Sequence, residues 1–149
     1  MARRSVLVML AVVAIVLGGV VVSTQAGAVV DSATIVPSPN AGTSADRLAS
    51  VSCVSATECV AVGRTVNGSV TETLTTVWDG SVWSVVSSPS PGASDDELLS
   101  VSCVSATECV AVGYTDRGSV YVTLVMAWDG SVWSIVPSPN AGTTFDVLR

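Results

Sequence analysis

Residues 50–63, SVSCVSATECVAVG, recur without change at 100–113, and WDGSVWS at 78–84 recurs at 128–134. Both copies stand at an offset of 50. Aligning 35–84 with 85–134 matches 34 of 50 positions. A third copy opens at Ile135, where IVPSPNAGTTFDVLR matches IVPSPNAGTSADRLA of 35–49 in 11 of 15 positions. A period of this length marks an array, in which each unit covers a hydrophobic face by stacking on the next.

Each repeat reads as four short strands separated by turn residues. Leu48–Cys53 (LASVSC) alternates as strand a, and Cys59–Thr65 (CVAVGRT) follows the loop Val54–Glu58 as strand b. Asn67-Gly68 then predicts a type I′ hairpin turn, whose two central residues both need positive φ, with Arg117-Gly118 in the equivalent place. Thr71–Trp78 is strand c, Asp79-Gly80 the next turn, and Val82–Val86 strand d, which Ser-Ser-Pro-Ser-Pro ends. Nothing after residue 28 shows helical periodicity. The expected fold is therefore all-β: tandem four-stranded antiparallel blades of a β-propeller, in an incomplete ring, with a two-sheet β-sandwich as the alternative.

The blocks SCVSATECVAVG and WDGSVWSVVSSPSPG resemble the tandem repeats of bacterial secreted β-propeller proteins, with a kelch-like period. The resemblance covers about residues 32–149 and implies a propeller and an extracellular role. Kelch motifs carry Gly-Gly after strand b, where this chain has Gly63 and Gly113 alone. Asp79, Gly80 and Trp83 occupy the hairpin that holds the Asp-box of sialidase-like propellers, but with Asp and Gly adjacent, so sialidase activity is not carried over.

The expected organisation is a signal peptide at 1–28, an N-terminal d strand and linker at 29–47, a first blade repeat at 48–97 and a second at 98–147, a third starting at 135. Arg3 and Arg4 precede the apolar run Val6–Val22 and the tripeptide Ala26-Gly27-Ala28, the order of an export signal, with cleavage after Ala28. The alternative is a membrane anchor through residues 6–22. Ser32–Asn40 (SATIVPSPN) matches WSIVPSPN of 133–140 and reads as a lone d strand that would complete a last blade. Two full blades cannot close a ring of four to eight, so the expectation is a truncated product or part of a larger assembly, prone to self-association.

The chain holds six Arg, no Lys and no His. That removes imidazole acid–base catalysis, His-ligated metals and lysine Schiff bases. The formal charge is -6, and -8 after residue 28, where four Arg face twelve acids. Such a balance argues against nucleic acid. No cofactor is expected.

Cys53 and Cys59, like Cys103 and Cys109, have five residues between them at the a–b hairpin, and in an exported chain they read as two disulfides rather than a four-thiolate zinc site. Trp78, Trp83, Trp128 and Trp133 read as blade packing, or as faces on which a sugar ring could stack. Asp95, Asp96 and Glu97, with counterparts Asp46 and Asp146, read as a solvated loop rather than a calcium site. Asn67-Gly68-Ser69 is a formal glycosylation sequon accounted for as a turn. The repeats differ in charge at Arg47 against Glu97, Arg64 against Tyr114 and Glu72 against Val122, as surface positions tolerate. A catalytic residue would appear once rather than in every blade. The expected function is thus a non-catalytic secreted or cell-surface propeller with a binding or scaffold role, its partner a protein or a carbohydrate. The alternative is a fragment of a secreted propeller enzyme acting on polysaccharide.

Overall fold

The computed structural model describes residues 34–149 and one short antiparallel pair, β1 (Val16–Leu17) and β2 (Val20–Val21). The expected signal cleavage after Ala28 falls outside the described residues. Among those described, no helix is long and apolar enough to cross a membrane. The chain divides into a unit of residues 1–35 and one of 36–149, and the two 50-residue repeats fall almost wholly in the second. Of the expected lone d strand, Thr34–Asn40 forms no strand.

Eight strands build two four-stranded sheets. The first is β3 (Ala45–Ser55), β4 (Glu58–Asn67), β5 (Val70–Trp78) and β6 (Trp83–Val86), and the second is β7 (Asp96–Ser105), β8 (Glu108–Asp116), β9 (Tyr121–Trp128) and β10 (Trp133–Ile135). Within each sheet the strands lie in chain order and pair antiparallel with their neighbours, so the all-β reading and the four strands per repeat stand. Strand a starts earlier than its alternation suggested. The polar stretch Ala45–Arg47 pairs with Val66–Arg64 before a bulge between Leu48 and Ser50. Gly63 lies opposite that bulge, and a Cβ there would collide with the Arg47 carbonyl oxygen; Gly113 stands in the same relation to Glu97. A single glycine per repeat answers that crowding.

The Asn67-Gly68 turn differs from expectation. Asn67 pairs with Val70, leaving Gly68 and Ser69 as the central residues, and only Gly68 has positive φ (65°). That is the pattern of a type II′ turn, with glycine in the first central place. Gly80 (φ 95°) repeats it in the c–d hairpin, where Asp79 Oδ1 accepts bonds from Ser81 N, Ser81 Oγ and Val82 N at 2.8, 2.7 and 2.9 Å.

The hydrophobic core lies between the sheets and joins unlike faces. From the first sheet come Val60, Val62, Val77 and Val86; from the second come Leu98, Val101, Ala111, Leu124, Met126 and the Trp128–Trp133 pair. The first-sheet counterparts of the latter set, fifty residues earlier, lie on the opposite face of their own sheet. Thus Leu98 is 0% exposed while Leu48 is 40% exposed. Likewise Val60 is 6% exposed and its counterpart Val110 47%. The sheets stack back to front, a heterologous contact in which one repeat's back receives the next repeat's front. Polar bonds fix the offset: Ser50 Oγ and Ser52 Oγ accept the Val101 and Cys103 amides at 3.3 and 3.1 Å. The connection also repeats, since Thr71 bridges Asp95 in parallel and Tyr121 bridges Phe145 in the same way.

Candidate binding site

The cysteines close the a–b hairpins. Cys53 is bonded to Cys59 and Cys103 to Cys109, each pair directly opposite in the ladder with Cα atoms 4.0 Å apart. Two disulfides are consistent with an oxidising compartment. The tryptophans face each other across the c–d hairpins, Trp78 and Trp83 with ring centroids 5.6 Å apart and Trp128 and Trp133 5.5 Å apart. Trp78 Nε1 and Trp128 Nε1 donate to the carbonyls of Ala56 and Ala106 at 3.1 and 3.0 Å, which ties the c–d hairpin to the a–b loop. Trp128 and Trp133 are buried in the core, whereas Trp78 and Trp83 are half-buried on the first sheet's front.

The acids following strand d are not a solvated loop. Asp96 is 1% and Glu97 4% exposed, because both belong to the extended start of β7. Alternation along the strand then separates their roles. Asp96 turns toward the preceding loop and accepts the Gly92 amide at 2.8 Å, as Asp46 accepts Gly42 N at 3.0 Å and Asp146 accepts Gly142 N at 2.9 Å. Asp46 also accepts the Thr65 hydroxyl at 2.5 Å, and that bond, with the Gly42 and Ala41 amides, holds its carboxyl below the usual carboxylate range. These three aspartates are loop caps, which explains their recurrence at every repeat.

Asp95 and Glu97 turn the other way, into a cavity of about 660 Å³. Glu97 meets Arg47 at 3.2 Å and Arg64 at 3.7 Å, both from the first sheet, so the differences at 47/97 and 64/114 fall around one ion cluster between sheets in which the carboxylate is buried and the guanidinium groups reach solvent, while Glu72 stays apart and accepts the Asn67 side-chain amide. The Tyr114 hydroxyl donates to Glu97 Oε2 at 3.1 Å and lies 3.5 Å from Asp95. The Tyr121 hydroxyl donates to Asp95 Oδ2 at 3.3 Å. Burial, then the charges of Asp95 and Glu97, push the Tyr114 phenol well above its usual range; for Tyr121 the Asp95 charge is the leading cause. Both therefore stay neutral donors at physiological pH. Tyr121 packs edge-on against Tyr114 and against Phe145, with centroids 5.3 and 5.4 Å apart, and Phe145 is 62% exposed.

Two neighbouring repeats and the start of the third share this cavity. Its lining falls in five positions of the repeat: Asp95 and Phe145 in one, Arg47, Glu97 and Val147 in the next, then Ala49, Leu99 and Arg149. Tyr114 and Tyr121 complete it. The two full repeats differ at only 16 of 50 aligned positions, yet they differ at all five of these. The chain matches no known family model, curated protein or solved structure. The site is therefore defined by its own geometry: one open cavity whose five lining positions all differ between the repeats, while the other eleven differences lie elsewhere in the repeat. A signal for it lay in the sequence, because positions 45, 47 and 49 alternate along strand a and differ in all three copies. Among the described residues no group of acids or cysteines is arranged to hold a metal ion.

Proposed function

We propose that the chain is a non-catalytic secreted or cell-surface repeat protein, that its two sheets are blades of a β-propeller, and that it binds a partner through the Arg47–Tyr121 cavity. The back-to-front stack supports the blade reading, because a contact between unlike faces can be continued by further identical units, whereas a sandwich closes on two inner faces. Two disulfides and an acidic chain suit the extracellular setting.

The observation that carries the binding role is the coincidence of cavity and repeat variation. Lining positions that differ in each copy can set recognition while the ladders around them repeat, as in other repeat arrays. The cavity's volume lies within the range of ligand pockets, and it offers aromatic edges, phenol oxygens that can accept and one carboxylate outside the ion pairs. The test is calorimetric titration of the purified chain with panels of peptides and oligosaccharides. Saturable binding that weakens in Tyr121→Ala, with the unfolding midpoint little changed, is expected. Binding indifferent to Tyr121, or turnover of an oligosaccharide, would contradict the proposal.

A further inference from the structure

We infer that the partner is a polypeptide segment, bound extended across successive repeats with a basic side chain beside an apolar one, and not a polysaccharide of uniform units. The inference rests on the binding role proposed above and names the chemistry of that site. Equivalent positions of successive repeats stand side by side in the cavity. A polymer of identical units crossing them would meet the same demand at each step, and one set of residues repeated unchanged would serve it. The chain does the opposite.

The first repeat supplies the cation Arg47 to the lining, with Arg64 reaching Glu97 from outside it. The second supplies Asp95, Glu97 and the hydroxyls of Tyr114 and Tyr121. The start of the third supplies Phe145 and Val147, with Arg149 beyond. Three different chemistries in sequence suit a ligand whose successive side chains differ, which a polypeptide has. The arginines of the first repeat are already committed to Glu97. Asp95 is in neither ion pair among the described residues, and it is flanked by two phenols and the exposed Phe145 ring. A Lys or Arg side chain can meet that carboxylate with its stem along the rings, and an adjacent apolar side chain can cover Phe145 and Val147.

The experiment pans a phage-displayed library of random decapeptides on the purified full chain, with cellohexaose and chitohexaose titrated in parallel as uniform polymers. Enriched peptides should carry Lys or Arg next to an aromatic or aliphatic residue. Their synthetic forms should bind at least tenfold more weakly to Asp95→Ala/Tyr114→Arg/Tyr121→Thr, which places first-repeat residues in the second repeat while leaving Glu97 to its arginines. Asp95→Asn alone, the milder change, should cost basic peptides affinity and spare neutral ones. Retained disulfides and unfolding midpoint report that each variant is folded. No enrichment, or peptides that bind wild type and both variants alike, would overturn the inference. Hexaose binding that requires Asp95 or Tyr121, without peptide binding, would overturn it too while leaving the binding role itself standing.

Discussion

Arg47 and Glu97 occupy the same position of successive repeats, fifty residues apart, and meet at 3.2 Å across the two sheets. Side by side in a stacked array, equivalent positions become partners, and opposite charges make the neighbours unequal. The Glu97 side chain is 5% exposed and that of Arg47 61%, so the carboxylate depends on the pair more than the guanidinium does. Arg47→Ala should destabilise the chain by about 1 kcal/mol, and most of that effect should vanish in a Glu97→Gln background. Urea unfolding of the four proteins of the cycle measures it. Additive effects would mean that the contact contributes nothing.

Leu48 and Leu98 provide an internal comparison, since they hold the same position of their repeats with unequal burial. Leu98→Ala should cost about 2–5 kcal/mol and Leu48→Ala under about 1 kcal/mol. Equal losses would show that both fronts are covered alike, contrary to the back-to-front stack.

Gly63 and Gly113 should tolerate no side chain. Alanine at either would force a carbonyl oxygen away from the bulge, at a cost of about 1–3 kcal/mol. At Gly68 a Cβ meets nothing within 4 Å, and only the positive φ resists substitution, at about 1 kcal/mol. Thermal unfolding of the three alanine variants should rank them in that order.

Much of this architecture was legible. Hydrophobic alternation, Asp-Gly turns and the 50-residue identity locate four strands per repeat, and short cysteine spacing within a hairpin leaves little choice of pairing. The turn at Asn67 was misassigned because the ladder continues one residue further than the dipeptide suggests, to Asn67↔Val70. The acids 95–97 misled for a related reason. Three consecutive charges look like a loop, but in a strand they point alternately, and burial of Glu97 becomes possible once two arginines arrive from another repeat. No local reading supplies those partners.

Asp79 and Asp129 each accept three bonds within the c–d turn, chiefly from Val82 N and Val132 N, and both carboxyls are held below their ordinary value of 3.8. A depressed folded-state value contributes stability that is present above the unfolded value and lost as pH falls through the folded one. The unfolding midpoint of wild type should therefore fall as pH drops below about 4. In Asp79→Asn/Asp129→Asn that acid loss should be smaller, as differential scanning between pH 2 and 6 would show. An unchanged acid limb would remove these turns from the account.

Each disulfide closes a six-residue separation, which the chain-entropy model values at about 2 kcal/mol. Replacing Cys53 and Cys59 together by Ala should lower stability by about that amount while leaving the second bond formed, read by urea unfolding and by mass after alkylation. A scrambled bond or free thiols in the remaining pair would show that the hairpins do not pair their cysteines independently.

The central claim is that unlike faces of successive repeats meet, and methyl NOE spectroscopy of the chain tests it most directly. Cross-peaks joining the Val60 and Val62 methyls of the first sheet's back to Leu98, Ala111 and Met126 of the second sheet's front are expected. Cross-peaks joining Leu48 or Val51 to Leu98 or Val101 instead would place two fronts together and contradict the stacked array.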